Sequence, residues 1–433
     1  MISARALVHR TLMRSSASKS VSFRCSQFHS TSWLAKASVV EWGYGSKDMT
    51  VFESNSIIPQ GPNKTRIAAG ASHRLIGLSG EGEAGVIGGG MNHSGQLGSG
   101  TRDDGKTFSA IDTSGMEILA VACGREHSMV LAREEQYNEG NNMPSQSSST
   151  PSLGKTILFG FGNSMYGQLG LGGSKDTLDK EFAGQAGLVF EPSPTEVKLS
   201  DPNENVSQVE CGLDHTVLLT DQSNLYSMGW GADGQLGLGP ESSSDRASPT
   251  LIERLSWKAK GKEIGRIKKI SSSTDFTLAL LENNQIWIWG NAEYGQCMVN
   301  RKIDRILEPM HIPHPIPETE TIVSVAAGGT FGLLLTNVGK VYTCGYGALG
   351  LGQDKTQILM PEQISLLSSI RKIYASTDYA AAIDGRLGHG NFEHCFEPKR
   401  VKMPQEQDGR KVIVHDVSLG QDGALAIVEY EEK

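Results

Sequence analysis

Two short motifs recur along the chain in a fixed order, and that recurrence limits the folds it can adopt. One is a glycine loop. It reads GMNHSGQLGSG at 90–100, GNSMYGQLGLG at 162–172 and GADGQLGLG at 231–239, with decayed copies GNAEYGQCM at 290–298, GYGALGLG at 345–352 and GRLGHGN at 385–391. The other precedes each loop: IAAGASHRLIGL, VACGREHSMVLA, VECGLDHTVLLT, ISSSTDFTLALL, VAAGGTFGLLLT and IYASTDYAAAID. A seventh copy, VSLGQDGALAIV, ends at residue 428 with no loop after it, and an orphan loop, VVEWGYGSKD, stands at 39–48. Self-similarity of this kind is the mark of a repeat architecture.

Each unit reads as short strands. HTVLLT and NLYSMGWG are apolar runs of strand length, and the turn cluster DQSN separates them. The expected fold is therefore all-β: a seven-bladed propeller over residues 38–433. The N-terminal strand pairs with the C-terminal ones, which closes the ring and removes its open edges. The sixth unit, DYAAAIDGRLGHGN, is short and is expected to form a reduced blade. Residues 133–155, REEQYNEGNNMPSQSSSTPSLGK, are expected to be a disordered loop insertion, and 173–195 a second insertion.

Residues 229–239 contain a literal G-x-G-x-x-G, which elsewhere cradles a pyrophosphate at a helix N-terminus. Here the following QLGLGPESSSDRASP cannot propagate a helix. The glycines are read as turn and close-approach positions.

The formal charge is −8, unevenly placed. Residues 1–37 carry Arg5, Arg10, Arg14, Lys19, Arg24 and Lys36 with no acid, so the remainder is −8 − 6 = −14. An acidic body argues against sequence-independent nucleic-acid binding through its overall field. The Arg- and Ser-rich, acid-free start is the composition of a mitochondrial transit peptide, which is favoured over a basic arm for nucleic acid. Mitochondrial matrix, or the matrix side of the inner membrane, is the expected location. No apolar run is long enough to span a bilayer.

The units, VECGLDHTVLLTDQSNLYSMGWGADGQLGLG above all, resemble the regulator of chromosome condensation repeat family over nearly everything after residue 38. FEPSPTEVKL at 190–199 and AAGGTFGLLLTNVGKVYTCGYGALGLG are similar to its mitochondrial branch, the Williams–Beuren-region exchange-factor-like proteins. The resemblance implies a seven-bladed propeller with a split closing blade. It also implies guanine-nucleotide exchange on a mitochondrial GTPase, the inner-membrane fusion dynamin. The alternatives it leaves open are a non-catalytic scaffold in mitochondrial rRNA pseudouridylation and ribosome assembly, and assembly of a respiratory complex.

An exchange factor does no covalent chemistry. It acts by binding two states of its partner unequally, and carboxylates on one face suit that task. The residue before the repeated His position is Ser72, Glu126, Asp214, Asp275, Thr330, Asp378 or Asp422. Pseudo-equivalent blades put Glu126, Asp214, Asp275, Asp378 and Asp422 on one face as candidate partner-binding residues, with Asp214 the best single choice. The simpler reading, capping of turn N–H groups, is favoured over it. His73, His127 and His215 share one repeat position, and bonding within each blade is expected rather than a metal site. A basic run, Lys258, Lys260, Lys262, Arg266, Lys268 and Lys269 beside Arg254 and Trp257, is a candidate for ribosomal RNA or peripheral membrane contact, balanced against a solvated inter-blade loop. Six cysteines lack metal-ligand spacing, and Cys123 and Cys211 are read as packing. No cofactor, metal, nucleophile set or small-molecule substrate is expected.

Overall fold

The computed structural model describes residues 37–43, 46–52, 65–79, 85–111, 113, 116–134, 154–174, 190–240, 244–257, 264–384, 397–401, 403 and 412–430. The expected transit peptide and most of the expected loop insertion, 135–153, lie outside these residues, as do Lys258, Lys260 and Lys262.

The described chain is mostly strands joined by turns, with a 3-10 turn at Glu253–Leu255. Five four-stranded antiparallel sheets follow in chain order. The first holds β3 (Thr65–Ala69), β4 (His73–Leu78), β5 (Gly85–Gly90) and β6 (Gly105–Ile111). The second holds β7 (Met116–Cys123), β8 (His127–Glu134), β9 (Thr156–Asn163) and β10 (Phe190–Val197). The third holds β11 (Val206–Cys211), β12 (His215–Thr220), β13 (Leu225–Gly229) and β14 (Arg246–Leu251). The fourth holds β15 (Ile267–Ser272), β16 (Phe276–Leu281), β17 (Ile286–Asn291) and β18 (Arg305–Ile312). The fifth holds β19 (Ile322–Ala327), β20 (Phe331–Thr336), β21 (Val341–Tyr346) and β22 (Gln357–Gln363). The sheet that closes the ring has the order β2-β1-β26-β25, with β1 (Ala37–Gly43) and β2 (Ser46–Phe52) from the start of the chain and β25 (Val412–Leu419) and β26 (Gly423–Tyr430) from its end. β1 pairs with β26 from Ala37↔Glu429 to Gly43↔Gly423, which brings Trp42 opposite Ala424.

The expectation of seven blades is corrected: the described residues form six four-stranded blades. Those of the sixth unit along the chain, expected to be reduced, form a two-stranded sheet, β23 (Lys372–Ala375) with β24 (Ala380–Ile383). The second insertion is also shorter than expected, because Phe190–Val197 is the outer strand of the second blade.

Hydrogen bonds link each unit to the next around the axis. Ala71 N–H donates to Gly124 O at 3.2 Å, Arg125 N–H to Leu213 O at 2.9 Å and Leu213 N–H to Thr274 O at 3.0 Å. Thr274 Oγ1 donates to Gly329 O at 3.2 Å, Gly329 N–H to Ser376 O at 3.2 Å and Ser376 Oγ to Gly420 O at 2.8 Å. Gln421 N–H returns to Gly70 O at 3.2 Å.

The repeated glycines have mechanical roles. Gly229 sits at φ +105°, where a Cβ would lie 2.4 Å from the Asp214 carbonyl. Gly234 sits at φ +84°, where a Cβ would lie 2.6 Å from Ile306 O in the next blade. Residues 235–239, directly after Gly234, are turn and coil rather than the start of a helix, so the phosphate-loop reading has no structural counterpart there. The Gln-Leu that follows is structural too. The Gln96, Gln168 and Gln235 side chains are buried, and each accepts the backbone N–H two residues earlier at 2.9 Å. Leu97, Leu169 and Leu236 fill the space between blades.

Candidate functional site

A strand that starts with its first residue at one rim returns after one hairpin, so two kinds of connection share a rim. The turns between first and second strands and the loops between third and fourth strands lie together, because His215 pairs with Gly229 and the equivalent pairs recur in the other blades. We term this rim the upper face. It carries Glu126, Asp214, Asp275, Asp378 and Asp422, the five predicted carboxylates.

Their surroundings differ. Asp214 is bridged by Arg125 of the preceding blade, Nη2 to Oδ2 at 2.9 Å, and its side chain is only 13% exposed. Burial pushes its carboxyl above the ordinary range, Arg125 pulls it back, and Glu126 and Asp245 push it up again. Glu126 accepts hydrogen bonds from His93 Nε2 at 2.8 Å, Ser94 Oγ at 2.9 Å and Asn163 Nδ2 at 3.0 Å. Burial raises its carboxyl, but the bonds from Asn163, His93 and Ser94 outweigh that and leave it below the usual value. Asp275 receives Gln235 Nε2 at 3.4 Å. Asp378 and Asp422 are exposed, and burial raises the Asp422 carboxyl.

Capping of turn N–H groups by the carboxylates is the reading favoured from sequence; the turn bonds at these positions are made by backbone carbonyls instead. The Glu126, Asp214 and Asp275 carbonyls accept the N–H of Asn163, Trp230 and Asn291 at 2.8–2.9 Å. The carboxylates of Glu126, Asp214 and Asp275 reach across to the neighbouring blade. The set is therefore graded. Asp214 is a blade-to-blade tie, Glu126 and Asp275 are partly engaged, and Asp378 and Asp422 are open to solvent.

Sequence reasoning missed the apolar side chains on the same face. Met91, Tyr294 and Tyr346 are exposed large hydrophobics. The Tyr294 and Tyr346 rings lie 6.1 Å apart, and Tyr166 packs edge-on to Trp230 at 4.5 Å. Met91, Trp230 and Tyr346 directly follow the positive-φ glycine of their loops, a position that could have been read from the repeat.

The three histidines bond between blades, not within them as expected. His73 Nε2 meets Ser128 Oγ at 2.8 Å, His127 Nε2 meets Thr216 Oγ1 at 3.1 Å and His215 Nε2 meets Ser272 Oγ at 2.9 Å. Ser128 and Thr216 already donate to Gln96 O and Gln168 O, so they accept from the rings, which fixes the Nε2–H tautomer for His73 and His127. Burial holds the rings neutral, down to about 4 for His73 and about 3 for His127 and His215. Each ring sits at a separate interface. Among the described residues no group of three or more His, Cys, Asp or Glu could hold a metal.

The axial opening on this face is lined by backbone from the inner turns and by Cys123 and Cys211, and encloses about 80 Å³. That volume takes a few waters rather than a nucleotide. Burial pushes the Cys123 thiol up to about 12 and the Cys211 thiol well above its ordinary value, which suits packing and not nucleophilic chemistry.

The described residues of the basic run lie at the opposite rim. Arg266 and Lys268 are exposed, and the Arg266 guanidinium stands over the Trp257 ring at 5.1 Å. Lys269 points inward. Its Nζ donates to Ser324 Oγ at 2.8 Å, and burial lowers its pKa against the pull of Glu210. It is therefore not part of an exposed basic surface.

Residues 157–219 and 222–280 match the regulator of chromosome condensation (RCC1) repeat, with further matches at 206–235 and 267–296. The matched stretches run from the second blade to the fourth. It is 28% identical over 337 residues to the human RCC1-like G exchanging factor-like protein, an alignment covering 72% of this chain and 62% of that protein. It therefore spans about three-fifths of that relative's length. It is also 28% identical over 386 residues to the ultraviolet-B receptor UVR8 of Arabidopsis thaliana, covering 84% of this chain and 74% of the receptor. Among solved structures, human WBSCR16 superimposes with a TM-score of 0.70 at 24% identity, covering 90% of this chain and 98% of that one. Yeast RCC1 (Prp20), solved bound to Kap60, gives 0.69 at 18% identity over 96% and 97%. At these identities the solved structures establish the propeller fold.

Proposed function

We propose that this protein is a guanine-nucleotide exchange factor-like regulator that grips a mitochondrial GTPase with its upper face. The observation that carries the reading is the juxtaposition there of graded carboxylates with exposed Met91, Tyr294 and Tyr346. Aromatic anchors ringed by charge are what a transient protein interface uses. Carboxylates compete for the phosphate-loop lysine and magnesium of a GTPase, which favours the nucleotide-free state. The name of the human relative agrees with this class of partner. The inner-membrane fusion dynamin is the proposed GTPase, on the resemblance to the mitochondrial branch, and the acid-free N-terminal segment supports matrix import.

The test is release of a fluorescent GDP from that dynamin under stopped flow. The purified protein should accelerate release, and Asp378→Asn with Asp422→Asn should cut the acceleration at least about fivefold, a loss of about 1 kcal/mol of differential binding. Unchanged release at saturating protein defeats the proposal. A second reading, a scaffold in mitochondrial rRNA modification and ribosome assembly, draws on exposed Arg266 and Lys268 at the opposite rim. Retrieval of large-subunit proteins from a matrix pull-down that Arg266→Glu with Lys268→Glu abolishes would favour it.

A further inference from the structure

Exposed apolar side chains stand on the upper face where its ring of acids is broken. Ser72 in the first blade and Thr330 in the fifth take the position that is acidic in the other units. Met91 N–H donates to Ser72 O at 3.0 Å and Tyr346 N–H to Thr330 O at 2.9 Å, so each stands directly beside the missing acid. Both are about half exposed, Met91 at 50% and Tyr346 at 48%. In the second, third and fourth blades, where the acid is present, the same place is held by Asn163, Trp230 and Asn291, none of them exposed. Tyr294 of the fourth blade adds its ring to that of Tyr346. Gln357, the residue paired with Tyr346, donates from Nε2 to Tyr294 O at 3.4 Å.

Between those two ends the ring runs through the sixth unit and the closing sheet. Bonds between units make that stretch continuous: Gly329 N–H to Ser376 O, Ser376 Oγ to Gly420 O, and Asp422 N–H to Ala71 O at 3.2 Å. Asp378 and Asp422 stand on it, and both are exposed. Burial raises the Tyr379 hydroxyl pKa and both carboxylates raise it further, so the two acids share one neighbourhood. Arg74 at one end is paired with Glu41 at 2.5 Å and Lys355 at the other with Glu362, so neither cancels the open acids. On the other side of the ring Glu126 holds three donors and Asp214 is bridged by Arg125. The face is therefore divided. One arc reads apolar, acidic, acidic, apolar and is open, and the acids of the other are tied into bonds between blades.

We propose that the arc from Met91 through Asp422 and Asp378 to Tyr346 and Tyr294 docks a cationic segment of a partner protein that carries an apolar residue at each end. Open carboxylates flanked by apolar anchors select that pattern. Nucleic acid and anionic lipid carry the same sign as the arc and are repelled. A second copy of this chain would bring acid to acid. The choice of face rests on the exchange-factor reading, and under it the GTPase presents this segment.

The probe is the fluorescein-labelled peptide LFSRKSRKSFL, with SSSRKSRKSSS and LFSEESEESFL as controls. By fluorescence anisotropy on the full chain, the first should bind at least about tenfold tighter than either control. Asp378→Asn and Asp422→Asn should each weaken it at least about threefold, and Tyr346→Ser at least about fivefold. Asp233→Asn, the same charge change on the third blade, should alter it less than about twofold. Equal binding of the three peptides, or an Asp233→Asn loss as large as that of Asp378→Asn, would overturn the proposal. GDP release from the dynamin, run alongside, separates the two readings. Peptide bound while release stays at its intrinsic rate upholds the arc and removes the exchange factor. Release accelerated by a protein that ignores the peptide does the reverse.

Discussion

Replacing His127 by phenylalanine, the residue that Phe276 and Phe331 supply at the same repeat position, should remove a defined part of the protein's acid sensitivity. His127 is neutral and buried between blades, and burial lowers its pKa to about 3 from an ordinary 6.5. The unfolded chain therefore takes up this proton first. The stabilisation held by the neutral ring is complete above pH 6.5 and is lost as pH falls from 6.5 towards 3. At pH 5 the unfolded histidine is almost fully protonated and the folded one is not, which costs about 2 kcal/mol relative to pH 8 at 1.36 kcal/mol per unit. The variant forfeits the bond to Thr216 Oγ1 at every pH, roughly 1 kcal/mol, so it is the weaker protein at pH 8. Denaturant midpoints at pH 8, 7, 6 and 5 should show that deficit shrinking and reversing, with a relative gain of about 2 kcal/mol by pH 5. Other titrating groups are common to both proteins and cancel in the difference. A difference flat to within about 0.5 kcal/mol across the series would refute the assignment of a buried neutral ring.

Three further outcomes are expected. Glu210→Gln should raise the denaturation midpoint at pH 8 and leave it nearly unchanged at pH 4. Burial lifts that carboxyl to about 7, above its unfolded value, so its contribution is full below pH 4.5 and is lost as pH rises through 7. Gly229→Ala should cost about 2 kcal/mol or more in chemical denaturation, because φ +105° and a 2.4 Å approach to Asp214 O oppose any Cβ. Arg125→Ala should lower the melting temperature more than Arg125→Ala does on an Asp214→Asn background, since the first leaves a half-buried carboxylate unpaired; equal losses would show the bridge to be inert.

The ring was legible because its cause is periodic. The lone half-motifs at 39–48 and 417–428 forecast the β1–β26 pairing, and the Gly and Gln-Leu positions forecast the loops. The sixth unit was visible as short, and its described residues form two strands, β23 and β24. The carboxylates were legible as a set, not as individuals. Whether Asp214 or Asp378 faces solvent depends on Arg125 reaching from another blade, and no local pattern encodes that reach. The histidines misled for the same reason: Ser128, Thr216 and Ser272 lie 55 to 89 residues away in the chain from the rings they meet. Lys269 read as one more positive charge in a run, yet its Nζ reaches Ser324 on the next blade while Lys268 stays exposed.

Pairing β1 with β26 also sets the order of events on the ribosome. The strand ending at Gly43 can pair at once with β2, but its other edge has no partner until Gly423–Tyr430 has been made. At roughly 5–20 residues per second that is about 20 seconds to more than a minute of waiting. Throughout that interval the earliest strand has a bare edge, and whatever holds the nascent chain must shield it until the last one arrives.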